Sequence, residues 1–98
     1  MSEVIFGKFV WHLEKEAKNI LQHKMSFTEA AEVFLDKNRI IAVDEKHSKE
    51  EQRFFCVGKV LGEVATVRFS YRAGKIRIIG AGFWRKGAKK YEEENKKK

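Results

Sequence analysis

Ten consecutive residues, Asp44-Glu45-Lys46-His47-Ser48-Lys49-Glu50-Glu51-Gln52-Arg53, gather an imidazole, several carboxylates and a guanidinium in one short connection. Loops held by a rigid sheet are where reactive groups tend to lie, and this one joins two β-branched runs. The chemistry open to such a set is proton transfer around a phosphodiester. RNA is cut without a metal when a base removes the 2′-hydroxyl proton, cations stabilise the charge building on the phosphorane, and an acid protonates the leaving 5′-oxygen. His47, Glu51 and the arginines supply those functions. The same residues equally suit a structural arrangement in which Asp44, Glu51 and Arg53 form a salt bridge and His47 is simply exposed.

Other chemistries find less support. His12 and His23 lie eleven residues apart with no accompanying cysteine, and neither H-E-x-x-H nor C-x-x-C occurs, so no metal centre is expected. Gly80-Ala81-Gly82 follows a strand but falls short of a dinucleotide fingerprint, and no Walker-type lysine is present, so no cofactor is expected either. Cys56 sits in an apolar strand on the core-facing side, which predicts a buried, inert thiol.

The elements that must position the loop follow from periodicity. Val4–Trp11 reads as a short extended start, and Glu14–His23 as an amphipathic helix with Ala17, Ile20 and Leu21 on its apolar side. Ser26, with Glu29 three residues on, opens a second helix through a capping box, and Phe27, Ala30, Ala31 and Phe34 form its stripe. Strands are predicted at 40–43, 54–57, 64–71 and 75–79, the last two joined as a hairpin through Arg72–Lys75. The segment from Arg85 onward has Tyr91 as its one large apolar residue and predicts a helical tail, frayed over about 92–98. The expected architecture is one α+β domain over 1–98, with the two amino-terminal helices on one face of the sheet.

Alternation then places Ala65, Val67, Phe69 and Tyr71 on the covered face and Thr66, Arg68 and Ser70 on the other. If the strands are neighbours, Arg53, Arg68 and Arg77 converge on the uncovered face as a phosphate-binding set. Three separately solvated arginines are the other reading. The net charge of +7 is distributed unevenly: residues 1–52 carry 8 Lys/Arg against 10 Asp/Glu, residues 53–98 carry 13 against 4. A basic half of this kind attracts nucleic acid or an acidic protein. No helix carries a recognition-type set of Arg, Asn and Gln for DNA. No apolar run approaches the roughly 20 residues of a membrane span, and Met1-Ser2-Glu3-Val4 does not begin a secretory signal. A cytoplasmic address is expected.

Taken in order, Phe9-Val10-Trp11, then Lys15-Glu16-Ala17 with Asn19, His23 to Asp36 with Met25, Ser26, Phe27, Glu29, Ala30, Val33 and Phe34, then Asp44, His47-Ser48, Glu51 and Arg53, and finally Ile76-Arg77-Ile78-Ile79 with Ala81 resemble the BrnT family of type II toxin–antitoxin toxins. The resemblance spans about residues 9–91. It implies a RelE-like fold and a metal-independent endoribonuclease that stops growth. It also implies neutralisation by a BrnA-type antitoxin with a ribbon-helix-helix part, in an assembly of two toxins and two antitoxins that represses its own operon. His47, Glu51, Arg53 and Arg77 match recurrent polar positions of the family: the arginines as phosphate clamps, His47 or Glu51 as proton-transfer groups.

The chain departs from the family pattern at the end of its last strand. Where the family usually reads Ile-Ser-Ala-Arg, this chain reads Ile79-Gly80-Ala81-Gly82, followed by Phe83-Trp84-Arg85-Lys86. Deleting one preorganised donor typically costs several kcal/mol of transition-state stabilisation. A catalytically weakened relative that only binds antitoxin or nucleic acid is therefore the competing expectation. Arg85 or Lys86 offers a replacement cation. Trp84 suits either a base-stacking platform or a wedge under the last helix, and Arg68 completes the expected RNA-binding set.

Overall fold

The sharpest alternation in the sequence, Ala65–Tyr71, lies within the longest strand of a six-stranded sheet. The computed structural model describes residues 2–96. Its strands are β1 (Glu3–Phe6), β2 (Phe9–His12), β3 (Ile40–Val43), β4 (Phe54–Val60), β5 (Glu63–Arg72) and β6 (Lys75–Gly82). The helices are α1 (Leu13–His23), α2 (Phe27–Glu32) and α3 (Arg85–Lys96), with single 3-10 turns at Val33–Leu35 and Glu45–His47. The strand order is β1-β2-β6-β5-β4-β3, antiparallel throughout except where β2 runs parallel to β6. This is the expected α+β architecture, with six strands instead of four. The difference arises at the amino terminus, where Gly7, at φ +61°, breaks the predicted extended start into the β1–β2 hairpin.

Two-residue turns set the register of the carboxy-terminal half. Leu61-Gly62 and Ala73-Gly74 both hold positive φ at each position, the combination whose twist matches that of the flanking strands. One sheet face is the core. Phe27, Ala30, Ala31 and Val33 meet Cys56, Val67, Phe69 and Ile78 there, all buried. The rings of Phe34 and Phe54 pack 5.1 and 5.4 Å from Phe69. Each such fully buried side chain contributes roughly 1.5–3 kcal/mol. The capping box forms as the sequence predicts: Glu29 N donates to Ser26 Oγ at 3.1 Å, and Ser26 N to Glu29 Oε1 at 3.0 Å.

The first helix corrects the expectation of two helices on one face. Its predicted apolar side is exposed, with Ile20 at 43% and Leu21 at 78%, and the one buried residue of α1 is Asn19. β2 pairs with β6 only through Ile76 and Arg77, so the outer edge of β6 lacks a strand beyond that point. Asn19 fills the gap: its amide accepts from Ala81 N at 3.1 Å and donates to Ala81 O and Met25 O, each at 2.9 Å. α1 thus docks along a sheet edge through one polar side chain.

α3 is also placed differently from the predicted frayed tail. It lies across the far end of the second sheet face, where Gly87 approaches Thr66 so closely that a Cβ would fall 2.0 Å from its hydroxyl. Tyr91 is buried and donates to Asp36 Oδ2 at 2.6 Å, while Asn95 donates to Asn38 O at 3.4 Å. A single anchoring ring therefore suffices. Of the predicted tail, Lys97 and Lys98 lie outside the described residues. No helix among the described residues is long and apolar enough to cross a membrane.

Two expectations test these attachments. Replacing Asn19 with Leu leaves both polar groups of Ala81 unpaired and should cost about 2–4 kcal/mol in denaturant unfolding. Burial, and secondarily the hydrogen bond to Asp36, push the Tyr91 hydroxyl up to about 12 from an ordinary 10.0. The folded state therefore holds that proton more tightly than the unfolded chain. The associated stability is complete below pH 10 and is lost as pH rises through about 12. Tyr91→Phe should cost about 1.5 kcal/mol at neutral pH and remove this alkaline loss, read by circular dichroism across the titration.

Candidate active site

The second sheet face carries the polar row. The registers Val10↔Arg77 and Ser70↔Arg77 join β2, β6 and β5, and Phe54↔Phe69 places Arg53 one step further along, opposite Ser70. Asp44 N donates to Arg53 O at 2.8 Å and so extends the row past the end of β3. Asp44, Arg53, Ser70, Arg77 and Val10 consequently line up on the side away from α2, with Arg68 two residues from Ser70 on the same strand. Arg53, Arg68 and Arg77 share one face, as the alternation predicts. Ser70, between two of them in register, is fully buried.

Each arginine is held by a different kind of partner. Arg53 Nε lies 3.8 Å from Glu51 Oε2, an ion pair without a hydrogen bond. Arg68 Nε lies 3.4 Å from Asp44 Oδ2, and its guanidinium carbon sits 5.9 Å from the centre of the Phe55 ring. Arg77 donates instead to His12 Nε2, a partner without a carboxylate. Among the described residues no carboxylate lies within ion-pair distance of Arg77. Its positive charge is the least compensated of the three, which makes it the strongest attractor of a phosphate.

Asp44 is the hub of the other half. It is 3% exposed, and its carboxylate accepts from His47 Nδ1 at 2.9 Å. That contact places the proton on Nδ1 and leaves Nε2 of the partly exposed imidazole without a hydrogen bond among the described residues, as a proton acceptor needs. The loop is built to hold it: Ser48 Oγ donates to Asp44 O at 2.6 Å and accepts from Arg53 N at 2.8 Å. The salt bridge among Asp44, Glu51 and Arg53 that sequence left open forms only in its Glu51–Arg53 half. Asp44 pairs instead with His47, brought back to it by the 3-10 turn Glu45–His47, and with Arg68 on β5.

The remaining predicted residues divide. Trp84 and Lys86 line a cavity of about 670 Å³ on this same face, together with Phe55 and Arg68. Arg85 is exposed and lies outside that lining. His47, Glu51, Arg53 and Arg77 lie outside it too, so Arg68 alone joins row and cavity. Burial raises the Cys56 thiol to about 12, with nearby Arg39 pulling the other way. Its expected inertness has that physical basis. Sequence reasoning passed over His12, Asp44 as a hub, and Ser70. The alternation of β2 against β6 carried the signal for His12, but the parallel pairing that brings it to Arg77 was not readable.

Gly82, where the family pattern expects arginine, is explained by its neighbour. A Cβ on Gly82 would come within 2.9 Å of the Trp84 ring, which also meets His23 edge-on at 5.0 Å. A side chain at 82 and the indole at 84 compete for one space. Gly82→Ala should therefore destabilise the fold by about 1–3 kcal/mol, and adding Trp84→Ala should recover most of that loss. Midpoints of denaturant unfolding for the two single variants and the double variant check the coupling.

The profile of a family described as "Ribonuclease toxin, BrnT, of type II toxin-antitoxin system" matches residues 11–87. Comparison with curated proteins gave no match. The match covers Asp44, Arg53, Ser70 and Arg77 of the polar row and the cavity wall as far as Gly87. The chain belongs to the BrnT family of ribonuclease toxins of type II toxin–antitoxin systems, a membership that implies an RNA substrate and an antitoxin partner.

Proposed function

We propose that this protein is a metal-independent endoribonuclease on a RelE-like fold, which cuts RNA in the cytoplasm and thereby inhibits translation and growth. The observation that carries this reading is the shared sheet face, where three arginines stand beside a histidine whose tautomer is fixed by a buried carboxylate. His47 takes the 2′-hydroxyl proton through Nε2 as that oxygen bonds to phosphorus, and the P–O5′ bond breaks as the resulting imidazolium or Glu51 returns a proton to the leaving 5′-oxygen. Arg77 and Arg53 clamp the scissile phosphate and stabilise its developing charge. Glu51 is the other candidate for proton transfer; its pairing with Arg53 favours a role in positioning that guanidinium. Arg68, Arg85, Lys86 and Trp84 contact the RNA on either side. A BrnA-like antitoxin with a ribbon-helix-helix part silences the site, in a 2:2 assembly that binds operator DNA through the antitoxin.

One observation favours a second reading, that of a weakened relative which binds antitoxin or nucleic acid without cutting. Position 82 carries no guanidinium, and Trp84 fills the space into which a side chain there would project. Induced expression in a bacterial host, alongside purified protein incubated with RNA in a chelator, separates the two. Cleavage should persist in the chelator. Arg77→Ala should lower it by about 10²–10³-fold, and His47→Ala by about 10²–10⁴-fold, with growth arrest relieved in both. Absence of cleavage by the intact chain, or arrest indifferent to both substitutions, would leave the binding module as the surviving account.

A further inference from the structure

The cavity beside the polar row is assigned no part by the cleavage chemistry itself. It lies between the end of α1, the start of α3 and the second sheet face, and at about 670 Å³ it falls within the roughly 300–1,000 Å³ typical of small-molecule sites. Its walls combine the rings of Phe55 and Trp84 with the cations Arg68, Lys86 and Lys90 and the amide of Gln22. Trp84 is unusual in being held yet uncovered. Its ring rests on Gly82 and against His23, while 40% of the residue stays exposed. Phe55 already carries the Arg68 guanidinium over its face. Flat, preorganised aromatic surface beside cations suits a planar ring attached to a phosphate.

We propose that this cavity is a nucleobase subsite, which receives one unstacked base of single-stranded RNA against the exposed ring of Trp84, with the Arg68 guanidinium over Phe55 as the opposite wall. Its place on the row's face lets the phosphate of the same nucleotide reach Arg68, two residue pairs along β4 and β5 from the arginine row. Lys86 and Lys90 draw the backbone in, and Gln22 offers both a donor and an acceptor to the base edge. A base must leave its stack to enter, so duplex RNA is refused. The inference rests on the RNA-cleaving reading for what brings RNA to this face, and adds that the substrate is single-stranded and gripped by one base. A protein partner inserting a side chain is the alternative occupant, and the basic walls fit it only if that partner is acidic.

The test uses a fluorescein-labelled six-nucleotide RNA with 2′-O-methyl riboses, which cannot be cut, and a set of probes carrying one abasic position each. Anisotropy with the full chain should show one position whose base is worth about 5- to 100-fold in affinity. Trp84→Ala should erase that position's advantage, Trp84→Phe should keep most of it, and Arg77→Ala should weaken all probes alike. Trp11 is 1% exposed, so quenching of tryptophan emission by unlabelled probe reports Trp84 and shows its occupancy in the unaltered protein. A flat abasic profile overturns the proposal. So does a profile that Trp84→Ala leaves unchanged, or quenching by an acidic peptide where RNA gives none. A chain that never cuts RNA but still shows the base-dependent profile would sink the cleavage reading and leave the subsite standing.

Discussion

Three guanidinium groups on one sheet face repel one another, and the offsets to that repulsion organise the rest of the molecule. Strand spacing puts Arg53 and Arg77 on the order of 10 Å apart in register. At that distance and an effective dielectric constant near 20, like charges cost about 1.7 kcal/mol. Glu51 offsets one arginine at the surface, and Asp44 offsets a second from a nearly buried position while also orienting His47. Arg77 is offered only an imidazole lone pair. The face is consequently poised, with two arginines anchored and one left to seek an anion.

The same division of labour explains why the helices sit where they do. A conventional layer of two helices over one face would still leave the β6 edge unpaired past Arg77, and backbone groups there cannot be left without partners. Asn19 closes that edge with its side-chain amide, so α1 stays at the rim with its apolar side outward. α3 crosses to the second face, where its Gly87 meets Thr66 and Val57. The arginine end remains open and the middle becomes a cleft. Asp36 ties this arrangement together, accepting from Tyr91, Lys59 and Asn38 at once. Burial alone would raise its carboxyl, but those three donors together hold it below the ordinary carboxylate range.

Much of this was legible from residue type and spacing. The capping box at Ser26, the alternation through β5, the hairpin at Ala73-Gly74 and the convergence of Arg53, Arg68 and Arg77 all follow from local rules that the tertiary structure does not override. What escaped were contacts between elements far apart in the chain. Asn19 lies 62 residues from Ala81, and Tyr91 lies 55 from Asp36. Neither is signalled by periodicity, since a buried polar anchor looks like a surface residue in sequence. α1 misled for the opposite reason: Ile20 and Leu21 have helical spacing, but spacing says nothing about whether a neighbour exists to cover them. The Asp44–His47 pair, three residues apart, was within reach, because the turn that joins them is a single 3-10 helix.

Gly82 and Trp84 make one position's history depend on another's. While the indole lies across the glycine, any side chain arriving at 82 meets a ring 2.9 Å away, and removing the indole first strips the wall from the cleft. The residue at 84 therefore decides how much side chain position 82 can carry. The two positions share one volume, so the wall of the cleft and the bareness of the strand end are a single structural choice.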